Sequence, residues 1–443
     1  MQYFVPLIVY VTVLSGLLLT QPADAQNNEI TRTVINSETN EPVPYATVSF
    51  PEQQYGFSTN ANGQFRLTIN PTMMDRKIVI SSIGFEPYES TLGDLAKAQN
   101  ERISLAPKVT VLQEILVKAK AETPQEIIRS TEKNLKTFLR QDPYYLYGFY
   151  TEEIKKNNTY AGYTEAYGIF HISGYQPSYN RRNVLFSYDL AQWKNIRRSD
   201  YHLKSECNDT VPRLLEVDKL VKAKSEYLYN GPFSKLRDQF RFTIDSLTSY
   251  HNEDVFIISF APAQSGEVTY RGSAYIKADD YALLKLEIWE DHAERFFYES
   301  CPVENVSAHF DLNYVKVGEK YYLNNVKLST KYKSGSTPIE EYIEIAGGEF
   351  RDSDVTRFNE EQRTIVYKEM INPDIVYNPE FWEQHDRPIS SDIEEKLSED
   401  APLPRQFFTS SGKRIIPLPE EYNSYQEMYK DHEVFRMFMN ADY

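Results

Sequence analysis

The sequence predicts a mainly β protein: a small N-terminal seven-stranded β-sandwich, then a larger curved antiparallel sheet with one packed helix. Three observations predict it. Aromatic residues make up 14% of the chain, with 34 Tyr and 24 Phe, types that fit a pleated, half-buried surface. Short runs of alternating apolar and polar residues recur between turn clusters, from Glu29 to about Leu105 and again from Phe256 to Tyr332. After Thr123 a segment carries the start signal and apolar spacing of an amphipathic helix.

The chain opens with an apolar run from Phe4 to Leu19, followed by Ala23-Asp24-Ala25. That is the pattern of a secretory leader, so residues 1–25 are expected to be a signal peptide cleaved before Gln26. No Cys stands near Ala25 to carry a lipid, which argues against a lipoprotein. About 418 of the 443 residues would remain, enough for two or three domains. No later stretch approaches the roughly 18 uncharged apolar residues of a membrane-spanning helix. An exported protein of the periplasm or outer membrane is therefore expected. The net charge of −16, or −15 without Asp24, disfavours nucleic acid and anionic lipid as partners.

Residues 26–118 are expected to form the sandwich. Ala46-Thr47-Val48-Ser49-Phe50 alternates small apolar with polar residues. Asn62-Gly63 is a two-residue hairpin signal, and beyond it Phe65, Leu67 and Ile69 share one face while Gln64, Arg66 and Thr68 share the other. Ile78-Val79-Ile80 reads as a fully buried strand ending at Gly84, and no helix of useful length is expected before Leu105. About seven strands with regularly spaced turns suit a sandwich.

Pro42-Val43-Pro44-Tyr45-Ala46-Thr47-Val48, Ser58-Thr59-Asn60-Ala61-Asn62-Gly63-Gln64-Phe65, Ile80-Ser81-Ser82-Ile83-Gly84-Phe85 and Ile103-Ser104-Leu105 occur in that order. In them the segment from 28 to 118 resembles the carboxypeptidase-regulatory-like domain at the front of many exported Bacteroidetes proteins. The resemblance implies a transthyretin-like sandwich that is not itself a peptidase. Independently, residues 28–118 hold no His and no Cys, so a zinc site with nitrogen ligands cannot be built there.

Leu112 to Lys118 is expected to be a last short strand leading out of the sandwich, and residues 119–384 to form the larger domain. Its helix starts at Thr123, with Pro124 in the first turn and Glu126 closing a capping box. Ile127, Ile128, Leu135, Phe138 and Leu139 give its apolar face, and Asp142-Pro143 is expected to end it. Phe256–Phe260, Gly272–Ile276 and Leu284–Ile288 read as strands, with a turn at Ala278-Asp279-Asp280. Phe310, Leu312 and Tyr314 alternate with Asp311, Asn313 and Val315, Gly318-Glu319 turns the chain, and Val326, Leu328, Thr330 and Tyr332 return. One face is expected dry and the other wet.

The runs from Asp142 to Tyr150, Tyr270 to Ile276 and Tyr377 to Trp382 are similar to the domain that commonly follows the regulatory-like domain. This implies an architecture like the half-barrels of lipoprotein carriers more than an activity. Residues 385–443, rich in Pro, acids and aromatics, are expected to be an extended tail.

The chemistry-bearing residues form no recognisable set. His171, His202, His251, His292, His309, His385 and His432 fit no H-E-x-x-H spacing. His251 with Glu253 and Asp254, and His292 with Asp291 and Glu294, come nearest, and both read as solvated turn clusters. Ser130/Lys133 and Ser410/Lys413 match S-x-x-K, yet the S-D-N and K-T-G partners are absent. No G-x-S-x-G elbow, phosphate loop or dinucleotide fingerprint occurs. Cys207 and Cys301 could pair in an oxidising compartment or stand as separate thiols; both readings stay open. No catalytic residue, metal ligand or cofactor is assigned.

Three functional readings follow. The first is a non-catalytic binding or assembly protein, with an envelope protein or an apolar or glycan ligand as partner. A second makes the larger domain a carrier for a lipid-like ligand, and a third a hydrolase of envelope polysaccharide using paired carboxylates. The tyrosines from Tyr144 to Tyr175 could line a ligand groove, but filling both faces of long strands accounts for them more simply.

Overall fold

The computed structural model describes residues 29–51, 55–60, 62–69, 71–110, 122–175, 190–198, 220, 224–264, 268–294, 303–356, 358 and 381. Cys207, Cys301, the Leu112–Lys118 run, Ser410 and Lys413, His202, His385 and His432 lie outside them.

Seven short strands make the sandwich, as expected. One sheet has the order β4 (Gln64–Thr68), β1 (Glu29–Asn36), β7 (Arg102–Leu105), with β7 parallel to β1. The other runs β3 (Tyr55–Ser58), β2 (Thr47–Phe50), β5 (Lys77–Ser81), β6 (Tyr88–Thr91), antiparallel throughout. Alternation delivers one apolar side chain in two to the space between the sheets, where Val34, Val48, Phe65, Ile78 and Ile80 pack into one core.

Two readings of this domain are corrected. The Asn62-Gly63 turn does not close a hairpin, because β3 and β4 belong to different sheets. Asn60 Oδ1 accepts from the N–H groups of Asn62 (2.9 Å) and Gln64 (2.8 Å), which turns the chain across the sandwich instead. A short helix, α1 (Leu92–Lys97), is also present; Thr91 caps it by accepting from the Asp94 N–H, and Leu92 and Leu95 enter the core.

The larger domain is one open antiparallel sheet of eleven strands. In chain order they are β8 (Val109–Thr110), β9 (Tyr144–Lys156), β10 (Thr159–Ile172), β11 (Leu190–Arg198), β12 (Phe240–Tyr250) and β13 (Glu253–Pro262). There follow β14 (Tyr270–Lys277), β15 (Leu283–Glu290), β16 (Val303–Val317), β17 (Lys320–Ser334) and β18 (Thr337–Arg351). The chain builds β9, β10 and β11 outward, crosses to the far side at β12, and meanders back until β18 pairs with β9. β8, the exit from the sandwich, adds to the edge at β12.

Helix α2 (Pro124–Phe138) carries the expected capping box: Thr123 Oγ1 accepts from Glu126 N–H, and Thr123 N–H donates to Glu126 Oε2 at 2.7 Å. It ends before Asp142, because Leu139 takes an extended backbone and bridges Tyr321. Ile127, Ile128 and Leu135 join inward residues of β9, β10 and β12 to β18 in a single core cluster, so the helix lies on the apolar face of the sheet.

The opposite face is not wet at its centre, contrary to expectation. Asp311, Asn325, Lys327 and Glu344 point away from the helix but are buried. The sandwich docks there. Tyr45 lays its ring against Tyr342 (centroids 6.2 Å apart) and under Lys327. A second contact forms where the β12–β13 turn meets the sandwich: Gly84 N–H donates to Ser249 O (3.0 Å), and Tyr250 hydrogen-bonds with Ser81 and Thr47. Beyond β18, Phe358 stacks on Tyr145 at 5.4 Å and Phe381 packs on Tyr167, both within the 119–384 domain, while the tail expected over 385–443 lies outside the described residues.

Candidate functional site

On the sandwich side of the large sheet, strand register gathers five polar side chains. Glu287 on β15 stands opposite Asp311 on β16, and Trp289 opposite His309. β14 places Tyr275 opposite Lys285. Because side chains alternate, Lys285, Glu287 and Trp289 share a face, as do His309 and Asp311.

Glu287, His309 and Asp311 thereby bring a carboxylate oxygen, an imidazole nitrogen and a second carboxylate oxygen within 4.8 Å of one another. Lys285 pairs with Glu287 Oε1, and its Nζ is 4.0 Å from Asp311 Oδ1. Tyr275 donates to Glu287 Oε2 at 2.8 Å. Burial, and then the Glu287 charge, push the Tyr275 phenol well above its usual range, so it stays a donor. Trp289 stacks on the His309 ring at 4.8 Å and 7°, which fixes its orientation. His309 Nε2 and Asp311 Oδ1 face each other at 3.5 Å, both buried, and neither makes a hydrogen bond.

No single motif revealed this group, since Glu287 is on a different strand. The readable signal was His309-Phe310-Asp311, an i, i+2 pair that puts both ligating types on one strand face. The carboxylates stand side by side with Lys285 in reach of both, not on opposing walls of a cleft.

The clusters flagged from sequence do not converge. Glu253 pairs with Lys277 at 2.9 Å, while His251 Nε2 faces Ser81 Oγ at 3.4 Å. Asp291 pairs with Arg271 at 2.9 Å, Glu294 accepts from the Val306 N–H at 3.2 Å, and His292 is in no metal-holding group among the described residues. Ser130 and Lys133 sit on the flank of α2, beside its buried line of Ile127, Thr131 and Leu135. His171 is buried between Tyr145 and Phe358.

Most tyrosines of the 144–175 segment fill space: Tyr144, Tyr145, Tyr150, Tyr163 and Tyr175 are buried. Tyr144 and Tyr175 also line a cleft with Tyr229, Tyr314, Tyr321 and Arg140, whose volume of about 20 Å³ is room for one water.

Residues 30–117 match the family model of the CarboxypepD_reg-like domain, so the sandwich is a domain of that family. No curated protein matches the chain. Among solved structures, a LolA superfamily protein from Nitrosomonas europaea is similar at 10% identity and TM-score 0.21, over 56% of this chain and 100% of that one. A putative outer membrane lipoprotein-sorting protein domain from Vibrio parahaemolyticus gives 13% and 0.24, over 57% and 98%. The MucA/MucB complex of Pseudomonas aeruginosa gives 7% and 0.16, over 52% and 99%. No helix among the described residues is long and apolar enough to cross a membrane.

Proposed function

We propose that this chain is a non-catalytic binding or assembly protein of the cell envelope, in which the CarboxypepD_reg-like sandwich and the large sheet act as one docked unit toward a protein partner. The observation that carries the reading is the continuous buried apolar cluster that α2 shares with the sheet among the described residues. Helix residues Ile127, Ile128 and Leu135 belong to the same cluster as Leu286, Ile288, Phe310, Leu328 and Ile343. A carrier needs a chamber of roughly 300–1,000 Å³ for a drug-sized or larger ligand. The cleft beside the helix end has about 20 Å³. The leader-like N-terminus supports a partner in the envelope, and the net negative charge disfavours polyanions.

The polar groups support the non-catalytic part. Glu253, Asp291 and Glu294 are each engaged by a cation or a backbone N–H, in structural contacts. Glu287 and Asp311 are adjacent on one sheet face, a geometry that leaves no gap for a sugar ring between them.

The test is crosslinking in intact envelopes followed by purification of the full chain, with native mass spectrometry on the same sample. A discrete protein crosslinked through one surface patch is the expected result. A stoichiometric acyl ligand in the mass spectrum would replace this reading with the carrier, and recovery of neither protein nor lipid would reject it.

A further inference from the structure

We infer that Glu287, His309 and Asp311 form a binding site for a divalent metal ion of the zinc class, clamping β15 to β16 beneath the docked sandwich. Two buried atoms point to it. Asp311 Oδ1 and His309 Nε2 are both shielded from water and both without a hydrogen bond, and they face one another at 3.5 Å. A carboxylate oxygen offers only lone pairs, so leaving it dry and unbonded costs free energy that a fold normally avoids. An ion between the two atoms removes that cost. Ligands about 2.0–2.2 Å from a tetrahedral zinc stand roughly 3.3–3.6 Å apart, which is the spacing of the His309 and Asp311 pair, and the Glu287 oxygen lies within 4.8 Å of both.

The donor set selects the ion class. One imidazole nitrogen with two carboxylates is too nitrogen-rich for calcium or magnesium and lacks the thiolates that favour copper(I). The surroundings also resemble the outer support of a metal site. Tyr275 holds the far oxygen of Glu287 at 2.8 Å, and Trp289 stacks against the imidazole so that Nε2 stays aimed at Asp311. The Asp311 side chain is nine-tenths buried, whereas that of His309 is 37% exposed, which leaves an entry path on the histidine side.

Lys285 is the competitor. Its ammonium already pairs with Glu287 and lies 4.0 Å from Asp311, balancing one of the two negative charges. Its side chain is partly exposed and long enough to swing into solvent, so ion binding exchanges one cation for another. This gives an unusual signature: removing a positive charge should strengthen the site, while removing either buried partner should weaken it.

The experiment titrates the full chain with Zn²⁺ by calorimetry and with Co²⁺ by visible absorption, in wild type and in H309A, D311N and K285M, each checked for folding by thermal melting. One ion per chain with cobalt bands of low symmetry is expected. H309A and D311N should each weaken binding at least about 10-fold, and K285M should tighten it several-fold. Adventitious binding by surface acids would show several weak ions per chain and no change in H309A. That result, unchanged affinity in D311N, or weaker binding in K285M overturns the site. None of these outcomes depends on a protein partner, so the site and the proposed envelope role fail separately.

Discussion

Lys327 Nζ lies 3.0 Å from the centroid of the Tyr45 ring, which joins the sandwich to the face of the large sheet that sequence patterning assigns to water. Lys327 is buried on β17, and a desolvated ammonium over an aromatic face gains about 2 kcal/mol. Tyr45 reaches this position from a backbone at φ +59°, a left-handed conformation that a tyrosine rarely adopts. The contact therefore compensates a strained residue and a buried charge at once. Burial, and then the nearby Glu344 charge, push the Tyr45 phenol well above its ordinary value, so the ring stays neutral under the ammonium.

Replacing Tyr45 separates those two effects. Y45A removes the ring and keeps the strain, so it should cost about 2–4 kcal/mol in urea unfolding. Y45G removes the ring and relieves the backbone, and should be about 1 kcal/mol less damaging than Y45A. Equal losses in the two variants would show that the left-handed conformation carries no strain.

What the sequence disclosed follows from the range of each interaction. The capping box at Thr123, the hairpin at Gly318 and the alternation of Phe310 and Leu312 are local, and all were readable. The strand partners of β11 and β18 were not, because pairing across a sheet depends on which distant edge is free. The wet face of β16 and β17 was misread for the same reason. Asp311 and Lys327 look like surface residues until Tyr45, more than 250 positions earlier, is placed over them. The Glu287, His309 and Asp311 group needed the β15–β16 register to appear at all.

The cap of α2 makes a prediction with a pH dependence. T123A should lower stability by about 1 kcal/mol, and T123S should restore most of it. The Thr123 backbone N–H and hydroxyl hold the Glu126 carboxyl below its usual 4.5. A carboxylate with a lowered folded pKa stabilises above the unfolded value, and that contribution is lost as pH falls through the folded one. The stability gap between wild type and E126Q should therefore shrink as pH drops below about 4.5; a gap that is constant with pH would remove the charged cap from the account.

Gly148 and Gly318 test two different needs for glycine. Gly148 on β9 faces Gly347 on β18, and a Cβ there would stand 2.3 Å from the Ala346 carbonyl oxygen. G148A should cost about 1–3 kcal/mol, because backbone cannot yield as a side chain does. Gly318 turns β16 into β17 at φ +61°, with nothing within 4 Å of the built Cβ. G318A should lose about 1 kcal/mol and G318N less, since asparagine accepts the left-handed region. A G318N loss as large as that of G148A would contradict the assignment of Gly318 to backbone conformation alone.

His251 reports on the second docking contact. Its ring touches Tyr250 at 4.2 Å between centroids and its Nε2 faces Ser81 across the domain boundary. Burial disfavours the charged ring and lowers its pKa below 6.5, partly offset by Glu253 and Glu89. The unfolded chain then binds more protons than the folded one below 6.5. The contribution of His251 to stability is complete above that pH and declines as pH falls toward the folded value. His251 as a residue is nonetheless exposed, so the effect on stability is small and the titration itself is the better readout. Proton NMR of the His251 ring should give a midpoint under 6.5 in wild type and one closer to 6.5 in Y45A, where the sandwich is loosened. A wild-type midpoint at or above 6.5 would mean that the β12–β13 turn is not held against the sandwich in solution.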